Sequence, residues 1–301
     1  MLEIANLSKT YANGVQALRG VSLSIPRGLF GLLGPNGAGK SSLMRTLATL
    51  QRADGGTIRF DGLDVQREPA AVRRLLGYLP QDFGVYPRVR AETLLDHFAN
   101  LKGITDRRAR RIEVESLLRR TNLWEVRKRR LGTFSGGMRQ RFGIAQALLA
   151  EPRLIIVDEP TTGLDPEERR RFLNLLSKIG EDAVVLLSTH LVADVRELCR
   201  AMAVIDRGEV LVQGTPESLI AEIEGRVWSR AVTGDPEASG ITEGLADGAT
   251  LLSTHLQAGR TLARVACDRS PGPGFEAVAP NLEDVYFWAL RGQRGEKTKK
   301  E

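Results

Sequence analysis

The sequence contains no run of about eighteen or more apolar residues, so no segment is expected to span a membrane. Its start, Met1-Leu2-Glu3-Ile4, passes straight into an apolar–polar alternation; with no basic segment leading into an apolar one, no secretory signal peptide is expected. Cysteine is scarce: Cys199 and Cys267 lie far apart and outside any C-x-x-C pattern, so reduced thiols in a cytosolic protein are expected. The chain has no RNA-recognition or zinc-finger pattern and no aromatic residues interleaved with its basic ones, which argues against a nucleic-acid partner. A heptad array is absent too.

What is present is enough apolar material for a sizeable core: 42% of 301 residues, consistent with one large domain and an appendage. The net charge of +6 is uneven. Arg107, Arg108, Arg110, Arg111, Arg119, Arg120, Arg127, Lys128, Arg129 and Arg130 crowd into one segment, interleaved with Asp106, Glu113, Glu115 and Glu125. A solvated helical surface with local ion pairs is the expectation; a face turned to anionic lipid or a partner is the sharper alternative.

Residues 1–30 alternate apolar and polar around small turns, as in an antiparallel sheet layer. Leu29-Phe30-Gly31-Leu32-Leu33 is a continuous apolar run suited to a strand buried on both faces, and Ser42 to Leu50 has helical periodicity. Short strands and turns are expected over 54–66, a strand near Leu75–Leu79, and mainly helix from Arg90 to Ala150. Leu154–Val157 and Ala183–Leu187 read as buried strands flanking a helix from Pro166 to Ile179, and such alternation predicts a largely parallel sheet covered on both faces. Beyond about Leu219, Gly and Pro become frequent and strands short. The hexapeptide Leu186-Leu187-Ser188-Thr189-His190-Leu191 recurs at 251–256, but the flanks differ and coincidence is the better explanation.

Between the buried run and the first helix lies Gly34-Pro35-Asn36-Gly37-Ala38-Gly39-Lys40-Ser41, followed by Ser42. It fits G-x-x-x-x-G-K-[ST], in which glycines let backbone N–H groups converge on phosphate oxygens, Lys40 supplies positive charge and Ser41 offers a hydroxyl to Mg²⁺. Asp158-Glu159 ends the strand Leu154–Val157, where ligands bind in open α/β sheets. Asp158 can hold Mg²⁺ through water, and Glu159 can face an attacking water, the division of labour that phosphoryl transfer requires.

Phe134-Ser135-Gly136-Gly137-Met138-Arg139-Gln140-Arg141, roughly twenty residues before the acidic strand, resembles the signature motif of ATP-binding cassette (ABC) ATPases. Tyr11 resembles the aromatic that stacks on adenine, Gln81 the Q-loop glutamine, Gly163-Leu164-Asp165 the D-loop, and His190 of Ser188-Thr189-His190 the switch histidine. The match covers about residues 1–220. It implies an α/β fold of the P-loop NTPase (RecA-like) kind: a mostly parallel sheet with an antiparallel β layer and a helical subdomain near 82–150. The ABC ATPase domain is expected over 1–221, a small C-terminal α+β accessory domain over 222–290, and a disordered tail over 291–301.

The resemblance further implies that two cassettes close head to tail on two ATP molecules. Each nucleotide then sits on one subunit's phosphate loop and the other's Ser135-Gly136-Gly137, whose amides at a helix N-terminus suit the γ-phosphate. Gln81 is implied to touch Mg²⁺ and the attacking water, and His190 the γ-phosphate. Two positions depart from the usual signature: Phe134 replaces Leu and keeps an apolar anchor, while Met138 replaces Gln and cannot donate a hydrogen bond. Pro280-Asn281-Leu282-Glu283-Asp284-Val285-Tyr286-Phe287 is similar to an ending found in cassettes of the ABC-2 exporter class, with Leu282, Val285, Tyr286 and Ala289 on one packing face. The expectation is an ATP-hydrolysing subunit of a membrane exporter, held at the cytoplasmic face by a separate permease that docks on the helical stretch 82–130. A soluble ABC ATPase acting on ribosomes or DNA is the alternative, disfavoured by the single cassette and the missing heptads. A non-hydrolytic binding module is opposed by Glu159 and His190.

Overall fold

The computed structural model of the chain describes residues 1–81, 84, 86–160, 165–232, 245–246, 248–257 and 259–297. Strands β1 (Leu2–Thr10) and β2 (Gln16–Ile25) open it, with Leu2, Ile4, Leu7, Val21, Leu23 and Ile25 turned inward. β3 (Gly28–Leu33) is buried at every position and delivers the chain to α1 (Lys40–Leu47). Then come β4 (Gly55–Phe60), β5 (Leu63–Asp64), α2 (Pro69–Leu75) and β6 (Leu76–Leu79). Three helices succeed them, α3 (Ala91–Leu101), α4 (Arg107–Arg120) and α5 (Gly136–Ala147). β7 (Leu154–Asp158), α6 (Pro166–Ile179), β8 (Val184–Thr189), α7 (Val192–Leu198), β9 (Ala201–Asp206), β10 (Glu209–Gly214) and α8 (Pro216–Ala221) complete the alternating part. The remainder comprises β11 (Val227–Val232), β12 (Thr250–Gln257), β13 (Arg260–Ala266), β14 (Glu276–Ala277) and α9 (Leu282–Lys297).

The central sheet runs β10-β9-β3-β8-β7-β6, parallel except for β10 at the edge. An antiparallel sheet, β2-β1-β4-β5, covers part of it. The expected α/β architecture with a parallel sheet and an antiparallel layer is therefore observed. Strand periodicity splits the core in two. Phe30, Leu32, Ile156 and Leu186 pack toward the antiparallel sheet and the α1 residues Leu43, Met44 and Leu47. Their alternates Leu29, Leu33, Ile155, Val157, Val185 and Leu187 pack toward Phe142, Phe172, Leu173 and Val195 of the helices on the other side. Each large side chain so buried contributes about 1.5–3 kcal/mol.

The basic segment forms local pairs: Asp106 caps α4 by accepting from Ala109 N at 2.8 Å, and Arg119–Glu115 and Arg110–Asp96 lie at 2.8 and 2.7 Å. Three details differ from the sequence-based expectation. Helix α1 begins at Lys40 and stops at Leu47, because the left-handed Gly39 starts it and Thr49, also at positive φ, ends it. Helix α2 has no counterpart in that expectation; Pro69 opens it and only Val72 is buried, so its apolar pattern is faint. At the C-terminus α9 continues to Lys297 through residues expected as tail, and the Arg291 guanidinium donates to the Leu251 carbonyl; residues 298–301 lie outside those described.

The third sheet, β12-β13-β11-β14, is antiparallel throughout. Leu282, Val285, Tyr286 and Ala289 of α9 are buried, and this helix lies against β12 and also against α7, α8, β9 and β10. Arg264 of β13 forks onto Asp284, Nε to Oδ1 at 2.7 Å and Nη2 to Oδ2 at 2.6 Å. The two copies of the hexapeptide take unrelated places: the first runs along the buried β8 and past its end, whereas the second lies in β12, where His255 pairs with Leu262 of β13.

Candidate active site

The phosphate loop spans the gap between β3 and α1. Gly39 takes φ 105°, and a Cβ there would lie 2.5 Å from the Ala17 carbonyl oxygen, so both backbone conformation and space demand glycine. No side chain caps α1 and no acidic residue occupies its first turn, leaving its first amides free for an anion. Lys40, only 6% exposed, donates from Nζ to the Gly34 and Pro35 carbonyls at 2.7 and 3.1 Å. Burial lowers its pKa, while Glu159 and Asp158 pull it back up.

Parallel pairing of β7 with β8 sets Asp158 beside Ser188 at the same end of the sheet. Asp158 is 4% exposed, and burial raises its pKa against the opposing pull of the Ser41 hydroxyl and Lys40. Its Oδ1 and the Ser188 Oγ are buried without a hydrogen-bond partner. Such orphaned oxygens are costly in a finished core and suit a site that receives a cation. Glu159, next in the chain, donates its N–H to the Ser188 carbonyl at 3.0 Å and adopts φ 48°. Its Oε2 lies 3.3 Å from Nδ1 of His190.

A cleft of about 480 Å³ gathers Tyr11, Asn36, Gly37, Ala38, Gly39, Lys40, Ser41, Ser42, Gln81 and Glu159. The Tyr11 hydroxyl sits 3.0 Å from Ser42 Oγ and donates to Gln51 Oε1 at 3.2 Å, which fixes the ring at the cleft edge. Arg19 and Arg207 also line the cleft, and no sequence motif singles out either. They were findable only through the turn Asp206-Arg207-Gly208: Gly208 N–H donates to Ala38 O at 2.9 Å and Gly208 O accepts from Arg19 N at 2.8 Å, clamping this hairpin to the loop.

Ser135, Gly136 and Gly137 do not reach this cleft. They open α5 elsewhere on the chain, with Ser135 Oγ accepting from Met138 N at 3.2 Å. Open space surrounds the missing Cβ of Gly136, whereas one on Gly137 would collide with the Glu168 carboxylate at 2.0 Å. Asp165 caps α6 by accepting from Glu168 N at 2.8 Å; Gly163 and Leu164 lie outside the described residues.

A glycine loop feeding a helix, with paired carboxylates at the adjoining strand end, defines a nucleoside-triphosphatase of the P-loop class. The profile of the ABC transporter family matches residues 18–162. The chain is 36% identical over 280 residues to the daunorubicin/doxorubicin resistance ATP-binding protein of Streptomyces peucetius, covering 92% of this chain and 84% of that one. It is 35% identical to the linearmycin resistance ATP-binding protein of Bacillus subtilis, over 75% of this chain and 72% of the relative. Among solved structures, the ATP-binding subunit of an ABC transporter superposes with TM-score 0.68 at 29% identity, over 74% of this chain and 92% of that one. A dimeric ATP-binding cassette in a post-hydrolysis state with ADP and Pi gives 0.66 at 26%, over 71% and 98%. The chain belongs to the ABC transporter family and is an ABC ATPase, an ATP-binding subunit of the transporter type. Among its described residues no helix is long and apolar enough to cross a membrane.

Proposed function

We propose that this chain hydrolyses ATP to drive a membrane exporter, acting as a head-to-tail dimer on the cytoplasmic side of a separate permease. The observation that carries the reading is the division of the site: Glu159, which meets His190, lines the cleft at the phosphate loop, while Ser135-Gly136-Gly137 lies outside that cleft. One chain thus presents two unlike half-sites, which a second copy completes. The resistance proteins named above make a drug or antibiotic the favoured class of cargo.

The residues carry separable roles. The α1 amides, Asn36 to Ser42 and Lys40 bind the phosphates, with Lys40 exchanging its loop carbonyls for phosphate oxygens. Tyr11 packs on adenine. Asp158, Ser41 and Gln81 would hold Mg²⁺, and the orphaned Asp158 Oδ1 fits that duty. When bound, the ion neutralises charge on the phosphates. Glu159 accepts a proton from the attacking water, and His190 holds the carboxylate in place while contacting the γ-phosphate. Residues 1–221 act as the ATPase domain and 222–290 as an accessory domain. The permease docks on the helical stretch 82–130, where the guanidinium groups of Arg119 and Arg127 stack on the Trp124 ring at 4.3 and 3.7 Å.

Glu159→Gln is the test. ATP affinity should persist, turnover should fall roughly a hundredfold or more, and size-exclusion chromatography should show an ATP-dependent dimer. Normal turnover in that variant would remove Glu159 from the chemistry and sink the proposal.

A further inference from the structure

We propose that Gln140 is a positioning residue that fixes the backbone at Glu159, and thereby ties the helix bearing Ser135–Gly137 to the catalytic carboxylate of the same chain. This role rests on the ATPase reading of Glu159. Glu159 has φ 48° without being glycine, and such a residue persists where its neighbours fix it from several sides.

Two of those sides come from β8 and the residue just past its end: the Ser188 carbonyl accepts the Glu159 N–H, and two residues later His190 meets the carboxylate. The third must come from Pro160, the next residue along the chain. Pro160 has no N–H and cannot continue the strand ladder, so its carbonyl is the group left for anchoring. Gln140 supplies the partner, donating from Nε2 to Pro160 O at 2.9 Å. Gln140 is half-buried on α5, one turn beyond Gly136.

The same helix grips the far side of this connection. Arg141 pairs with Glu168 of α6 at 3.1 Å, and the Glu168 carboxylate fills the space that a Cβ on Gly137 would need. The first turns of α5 are therefore fastened both just after Glu159 and at the start of α6. A shift of α5 when Ser135–Gly137 engages a phosphate on the partner subunit is passed to Glu159 through Gln140. Each subunit in this way senses the other's nucleotide and adjusts its own carboxylate.

The test uses the full chain and two variants, Gln140→Leu, which removes the donor, and Gln140→Glu, which keeps the length but presents an acceptor to a carbonyl. Both should lower kcat about tenfold or more, as expected when a reacting group is displaced by a fraction of an ångström to an ångström. The KM for ATP, the affinity for ATP and the melting temperature should stay near wild type, a split that a purely structural role would not give. Unchanged kcat in either folded variant overturns the proposal, as does a loss expressed in KM. A wild-type chain that bound ATP without hydrolysing it would instead overturn the ATPase reading beneath it.

Discussion

At the scale of a residue, the metal-holding role proposed for Asp158 carries a cost in stability. Its carboxylate is buried, one oxygen has no partner, and burial holds its pKa above the usual carboxylate range. A carboxyl group whose pKa is raised on folding stabilises the fold most when protonated, and that contribution is lost as pH rises through the folded-state value. Asp158→Asn should therefore raise the melting temperature of the nucleotide-free chain at pH 7 by about 2–4 °C. The gap from wild type should close as pH falls below about 3.9, where the carboxyl is protonated in both folded and unfolded states. The same variant should lose Mg²⁺-dependent ATP hydrolysis. Differential scanning fluorimetry across pH, beside a turnover assay, checks both arms. A variant no more stable than wild type at pH 7 would mean the carboxylate is satisfied by contacts other than those described.

At the level of elements, the C-terminal helix is held by more than its apolar face. Asp284 is 1% exposed and receives both guanidinium contacts from Arg264 as well as the Asn281 N–H at 2.8 Å. Deleting one member of such a pair leaves the other's charge buried, so Asp284→Ala should cost about 3–5 kcal/mol in urea unfolding. Asp284 lies in the Pro280–Phe287 stretch whose apolar spacing was legible, but its partner in β13 was not, since no local pattern announces a contact twenty residues away. The same distinction runs through the fold. Strands buried on both faces, such as Leu154–Val157, announce themselves as apolar runs, and α6 is bounded by Asp165-Pro166 and Gly180. α2 has no such signal. In the cleft, the residues belonging to a glycine-rich or acidic motif could be read from the chain. Arg19 and Arg207 could not, because their places depend on how a hairpin packs on the phosphate loop, and the signature run that contains Gln140 gives no hint of its bond beside Glu159, which depends on the packing of a helix.

For the whole molecule the question is whether a single chain contains a complete site. The cleft holds the phosphate loop, Gln81 and Glu159 but none of Ser135, Gly136 or Gly137, and Gly136 opens onto free space able to receive a partner. An isologous pairing about a twofold axis, in which the phosphate loop of each chain meets Ser135–Gly137 of the other, gives two equivalent composite sites. Two inactive variants can then rescue each other. Lys40→Ala removes the phosphate-loop cation, and Gly136→Asp puts a negative charge where a γ-phosphate would approach; each homodimer has two defective sites. In a mixed dimer both lesions fall in one site, leaving the other with an intact loop and an intact Ser135–Gly137 segment. Random mixing in equal amounts makes half the dimers mixed, each with one sound site, so turnover should recover to about a quarter of wild type if sites act independently. Cassettes complete within one chain would recover nothing, and that result in a turnover assay of the mixture would overturn the shared-site dimer. Recovery that grows with total protein concentration would further show that assembly of the two chains, and not exchange of nucleotide between them, rebuilds the active site.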